Sequence, residues 1–215
     1  MAKEAPIGEV LLTDVRASFL DLYERGKPMR DQETGEMREG KFKGNFLIDK
    51  KRYAKEIKPL LEKVKDEVLT KKYGADRTKW PKYKPDKVYV RDGDLEDWDG
   101  YQGMVYVSAG NTDSVQLISR RKNDKGEWIE AAKGEIYAGC YVNILIQVWA
   151  QDHKDYGKRL NARLKVVQFN RKGDAFSSSG PVDVNEKFAA IAEDEGESMG
   201  QIEDHSDDED DTGLI

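Results

Sequence analysis

Histidine and cysteine are nearly absent from this chain: two His, at 153 and 205, and one Cys, at 140, among 215 residues. A single thiol excludes a disulfide framework and suits a reducing compartment. So few His and Cys leave no zinc site built from those ligands. The phosphate-cradling GxxxxGK[ST] loop, HExxH and GxSxG are all missing. No run approaches the roughly 20 apolar residues of a membrane span. The start, MAKEAPIGEV, has no apolar core of signal-peptide length. Five acids crowd one turn: Asp92, Asp94, Glu96, Asp97 and Asp99. They lack the sixth-position Gly and closing Glu of a calcium loop and read as a surface turn. The expectation is a protein without catalytic residues, metal or cofactor, and away from membranes.

Positive charge is missing too, but only from one end. No Lys or Arg follows Lys187, and eleven of the 42 acids fall between Glu193 and Asp211. The body therefore carries 31 acids against 36 bases, a net of +5 beneath an overall charge of −6. Such a polarised chain pairs a mildly basic body with a polyanionic end. We expect a globular domain over residues 1–175, a linker over 176–192, and a disordered acidic tail over 193–215.

The most informative stretch is residues 136–150, IYAGCYVNILIQVWA. Its even positions are all apolar: Ile136, Ala138, Cys140, Val142, Ile144, Ile146, Val148 and Ala150. That period of two predicts a strand with one face in a core. The run is long for a strand, so it must coil or carry a bulge, with Gly139 the natural place. Its other face carries Tyr141 and Trp149 with two amides, not the charges of an ordinary solvated surface.

The remaining chain reads around this strand. Residues 10–23 suit an irregular strand, and 31–35 the tip of a long polar hairpin. Residues 41–49, KFKGNFLID, alternate again, with Phe42, Gly44, Phe46 and Ile48 on one face and lysines on the other. Asp49 is placed to cap a short helical turn to about Ile57. The main helix should then run from Pro59 to about Lys72, ending at Gly74. Residues 75–87 form a basic, aromatic, proline-punctuated arm. Strands are expected near 88–91, 101–108, 115–121 and 127–131. The final return, 160–170, should place Asn161, Arg163, Lys165, Val167 and Phe169 on one face. The sum is a mostly β fold with one inserted helix, an OB-type five-stranded Greek-key barrel.

Single-stranded nucleic acid is held by stacking bases on rings and tracking phosphates with Lys and Arg. The candidate rings are Tyr106, Tyr141 and Trp149 on strands and Trp80, Tyr83 and Tyr89 near the basic arm. The candidate cations are Lys41, Lys43, Arg120, Arg121, Lys122, Arg163 and Lys165. In the tail, Asp207, Asp208, Glu209, Asp210 and Asp211 precede an apolar end, Leu214 and Ile215. A purely solvating tail needs no apolar end, whereas a docking peptide does.

The strand KFKGNFLID with its following helix, the run YAGCYVNILIQVWAQ, the return LNARLKVVQFNRKG and the acidic C-terminus together resemble the phage-encoded single-stranded DNA-binding proteins. That group is distantly similar to the helix-destabilising protein of podophages. The resemblance covers roughly residues 8–175 and the tail. It implies an OB fold, sequence-independent binding of single-stranded DNA, and action in phage replication, recombination or repair in the host bacterial cytoplasm. It also implies a tail that contacts replication or recombination proteins. The tail's own charge reads as a polyanion that competes with DNA for the basic body, and the outer face of the long strand suits a monomer or a homodimer. Tyr106 and Trp149 are the nearest matches to the family's stacking rings. The podophage tail ends in an aromatic; this one ends in Leu214–Ile215. Two alternatives remain: a β-sandwich module binding carbohydrate or protein through its aromatic face, and a hydrolase whose carboxylates sit among the many acids.

Overall fold

Alternating apolar residues close a barrel here because five strands each have one face to bury. A computed structural model describes residues 6–30, 35–154 and 157–176. The barrel strands are β1 (Glu9–Asp21), β4 (Phe42–Asp49), β6 (Met104–Asn111), β9 (Tyr141–His153) and β10 (Gly157–Arg171). β1 pairs with β4 and β9, β4 with β6, and β9 with β10, all antiparallel. One parallel contact, Arg163 with Gly110, joins β10 to β6 and closes the ring. In strand order this is 1-2-3-5-4-1, the OB-type Greek-key barrel that the hydrophobic pattern predicts.

The interior is apolar and closed to water. Leu12, Val15, Phe46, Val107, Val142, Ile144, Ile146, Leu164 and Val167 are fully buried. Each such side chain contributes about 1.5–3 kcal/mol by leaving water. The helical insertion seals one opening. Asp49 accepts hydrogen bonds from the N–H groups of Lys51 and Arg52 and starts α1 (Lys50–Arg52). A π-helical turn over Tyr53–Ile57 then leads into α2 (Lys58–Tyr73), with Pro59 in its first turn. Proline has no N–H to give, and the wider turn absorbs that missing bond. Leu61, Val64, Val68 and Leu69 of α2 join the barrel core.

Shorter elements decorate the ring. A two-stranded arm, β2 (Met29–Arg30) with β3 (Met37–Arg38), rises between β1 and β4. Its tip, 31–34, lies outside the described residues, as does most of the 176–192 linker and all of the tail. At the arm's base Gly26 N–H donates to Lys41 O at 3.1 Å. A Cβ on Gly40 would stand 1.5 Å from Gly26 O, so the crossing requires glycine. β5 (Val90–Asp92) lies against β6, and β7 (Gln116–Lys122) runs from β10 to β8 (Trp128–Glu130). Phe176 packs against the small cluster of Leu47, Tyr101 and Tyr106, one residue past the boundary read at 175.

Three local expectations fail. β9 begins at Tyr141, not at 136: Gly139 has φ of +112° and turns the chain into the strand. A Cβ there would meet Asp174 O at 2.1 Å, so the 136–140 segment is a packed turn. On β10 a bulge falls between Leu164 and Val166, so Val167 points inward and is fully buried. A single extra residue inverts every side chain beyond it. Third, β6 starts at Met104, so Tyr101 lies in the preceding turn.

Candidate nucleic-acid interface

The barrel's outer surface is grooved where β4, β6, β9 and β10 meet the arm. The groove has two adjoining parts of about 320 and 430 Å³. Arg38, Lys41, Lys43, Lys87 and Arg159 line both. Arg91 is added in the first part, Lys27 and Arg30 in the second. Opposing these eight cations are two acids, Asp86 and Glu39. Lys43 stands 3.5 Å from Asp21 and Lys87 stands 3.7 Å from Asp86, both partly exposed pairs that water screens.

Each wall follows from local sequence. Lys43 stands on β4 two residues before Asn45, on the face opposite buried Gly44 and Phe46. Its partner on β6 is Gly110, whose missing side chain keeps the floor low. Trp149 is the ring of the groove. It stands on β9, 42% exposed, across from Asn161 of β10. Arg159 faces Gln151 two pairs further, and Asn161 Nδ2 donates to Gln151 Oε1 at 3.0 Å. Val88 bridges to Leu160, tying the end of the basic arm to the groove wall. Ser108 N–H donates to Tyr89 O at 2.8 Å and holds β5 in place.

Of the thirteen candidates, Lys41, Lys43, Tyr89 and Trp149 come together in this groove. Tyr89 contributes only floor, because it is 5% exposed and packs in the core. Tyr106 is a correction. It is 1% exposed, and its hydroxyl donates to Glu96 Oε1 at 2.5 Å, so no base can reach its faces. Burial first, and Glu96 second, push its hydroxyl pKa up to about 12. The reason is the 93–103 turn, which folds back over β4 and β6 and seals the ring beneath Tyr101.

Tyr141 is capped as well. The Arg171 guanidinium lies 3.4 Å over its ring, and Asp14 clamps that guanidinium at 2.8 and 3.0 Å. Trp80 and Tyr83 fold onto the periphery of the core, with Trp80 Nε1 donating to Gly74 O at 2.9 Å. Arg120 Nη1 donates to Asn170 O at 3.1 Å, Arg121 Nε to Ser119 Oγ at 3.4 Å, and Lys122 lies 4.4 Å over Trp128. These three sit at the end of β7, apart from the groove lining. Lys165 pairs with Glu9 at 3.0 Å. Arg163 is exposed on β10, two residue pairs beyond Asn161.

The groove's remaining cations escaped the sequence reading. Arg159 had a usable signal, being two residues from Asn161 on the outward phase of the return strand. Arg38, Arg91, Lys27 and Arg30 had none, because the arm, its base and the three-residue strand β5 bring them in. Among the described residues no cluster of His, Cys, Asp or Glu is arranged to hold a metal ion, and no helix is long and apolar enough to cross a membrane.

An OB-type barrel with a cationic, ring-bearing groove across its second to fifth strands is the class that fold and site define. The chain belongs to the family of the Enterobacter phage Enc34 ssDNA-binding protein, whose model matches residues 8–199. The solved single-stranded DNA-binding protein of bacteriophage Enc34 is similar, with a TM-score of 0.60 at 25% identity, covering 87% of this chain and 97% of that one. The same phage protein in complex with ssDNA gives 0.61 at 26% identity, covering 82% and 97%. Putative protein p50 of Acyrthosiphon pisum secondary endosymbiont phage 1 is 34% identical over 185 residues, 83% of this chain and 91% of its own length.

Proposed function

We propose that this protein binds single-stranded DNA without sequence preference in the groove between the arm and the β4–β6–β10 wall. The carrying observation is the convergence of eight cations on one groove beside the exposed ring of Trp149. Phosphates run along Arg38, Lys41, Lys43, Lys87 and Arg159, and a base stacks on Trp149. Lysines and arginines at this spacing read backbone charge, and an indole face accepts any base, so the site carries no sequence code. Family membership supports the same ligand.

The role is non-enzymatic, in phage DNA replication, recombination or repair within the bacterial host. The acidic tail, with Asp207 to Asp211 and the apolar Leu214 and Ile215, recruits partner proteins and competes with DNA for the groove. Titration with oligo-dT tests the reading: Trp149 emission should be quenched, and affinity should fall steeply with salt. Removing residues 193–215 should tighten binding. No quenching and no mobility shift at low salt would overturn the groove; unchanged affinity without the tail would overturn the competition alone.

A further inference from the structure

Away from the groove, a second group of rings stays at the surface against steric resistance. Phe19 lies in β1 with φ of +47°, a left-handed backbone that bulky residues seldom adopt. Its ring is nevertheless 53% exposed. It stands edge-on to Trp98 at 4.8 Å, and Trp98 is itself 38% exposed. Leu95, on the same turn as Trp98, is 79% exposed. Beneath them Trp98 packs on Tyr101 at 5.0 Å, so the exposed rings rest on a fixed base. Strain that keeps a hydrophobic ring in water calls for a use.

The turn that carries Trp98 is acidic. Asp97 and Asp99 flank Trp98, both exposed, with no hydrogen bond or ion pair among the described residues. The other acids of the turn are engaged: Lys50 holds Asp92 and Asp94, and Glu96 accepts from Tyr106. No Lys or Arg occurs from 92 to 103. Two free carboxylates beside an indole face repel a phosphate chain. They suit a guanidinium, which stacks on the ring and pairs with carboxylates through its planar fork. None of Phe19, Leu95, Asp97, Trp98 or Asp99 lines the DNA groove.

We infer that Phe19, Trp98, Asp97 and Asp99 form a docking surface for an arginine-bearing segment of a partner protein. The arginine stacks on Trp98 between the two carboxylates, and a neighbouring apolar side chain rests on Phe19 and Leu95. This surface leaves the groove open, so one molecule can hold DNA and a protein at once.

The test follows the indole N–H resonances of the full-length protein, with Trp98 assigned through Trp98→Phe. Titration with a short peptide of alternating arginine and leucine should move the Trp98 resonance saturably. The pair Asp97→Asn and Asp99→Asn should weaken that response at least about fivefold while leaving thermal unfolding unchanged. A Trp98 resonance that does not move, or moves equally in the paired variant, overturns the inference. So does movement driven by oligo-dT, which would make the patch part of a DNA path. Movement on raising protein concentration alone would assign it to a second copy and overturn it likewise.

Discussion

Trp149 and Tyr141 stand on one strand, in the same outward phase, yet they live in different surroundings. Eight residues at about 3.3 Å each put them roughly 26 Å apart along β9. At one end Trp149 opens onto a groove lined by Lys41, Lys43 and Arg159. At the other, Arg171 lies on the Tyr141 ring and Asp14 holds it there. Both ends combine a ring with positive charge. The difference is that cations surround the first ring and one cation covers the second. A guanidinium stacked on a ring occupies the face that a base would use. Aromatic and basic residues interleaved on a strand thus leave a ring open for stacking only where the cations stand beside it.

The sharpest way to break this comparison is charge reversal. Lys41→Glu, Lys43→Glu and Arg159→Glu together should lower single-stranded DNA affinity by about 100-fold or more at low salt. Each phosphate left without its cation should take about 0.7 off the slope of log affinity against log salt. Reversing Arg120, Arg121 and Lys122 should change affinity less than about threefold. Fluorescence anisotropy over a salt series measures both; equal losses would move the site to β7.

Next in size is the pair of rings. Trp149→Ala should cost about 1–3 kcal/mol of binding, a loss of roughly 5- to 150-fold. Tyr141→Ala should stay within about twofold in the same titration. A larger loss at Tyr141 would mean that Arg171 swings away when DNA binds.

A smaller effect concerns the cap itself. The Arg171 hydrogen bond to Asp14, with lesser help from Asn170 and Arg52, holds the Asp14 carboxyl below its usual range. A depressed folded-state pKa stabilises the protein above the unfolded carboxylate value, about 3.9, and that contribution is lost as pH falls through the lower folded value. Asp14→Asn should therefore lower the melting temperature at pH 7 by no more than about 4 °C, since an exposed pair is well screened. The gap from the parent should close as the buffer is taken below pH 4. A gap of equal size at pH 2.5 would show that the carboxylate charge is not the cause.

The smallest expectation is a flat line. The groove's cations are Lys and Arg, and no His is among its lining residues. Affinity should change less than about twofold from pH 6 to 9. A step within that range would bring a group from outside the lining residues into the site.

Much of the barrel was legible because burial acts on every second residue. Val142, Ile144, Ile146 and Val148 repeat inward without interruption, and Phe46 and Ile48 do the same on β4. The helix was legible from its ends, with Asp49 accepting at one and Gly74 following at the other. Val167 was misplaced because a bulge leaves no mark in a run of apolar residues on both phases. Tyr106 was misjudged because its outward phase on β6 is real, but the turn leading into that strand folds back and covers it. Of the groove's lining, Lys41, Lys43 and Trp149 were placed on an outward face by alternation, whereas Arg38 and Arg91 belong to segments with no period to read.

Residue order alone determined which side of each strand meets oil and which meets water, since that choice is local and repeats every two residues. It also determined the separation of a cationic body from a polyanionic end. Which outward rings stay open, and which cations gather beside them, was decided only when the arm, the 93–103 turn and Arg171 packed onto the barrel. Those contacts join residues far apart in the chain, where neighbouring residue types carry no record of them.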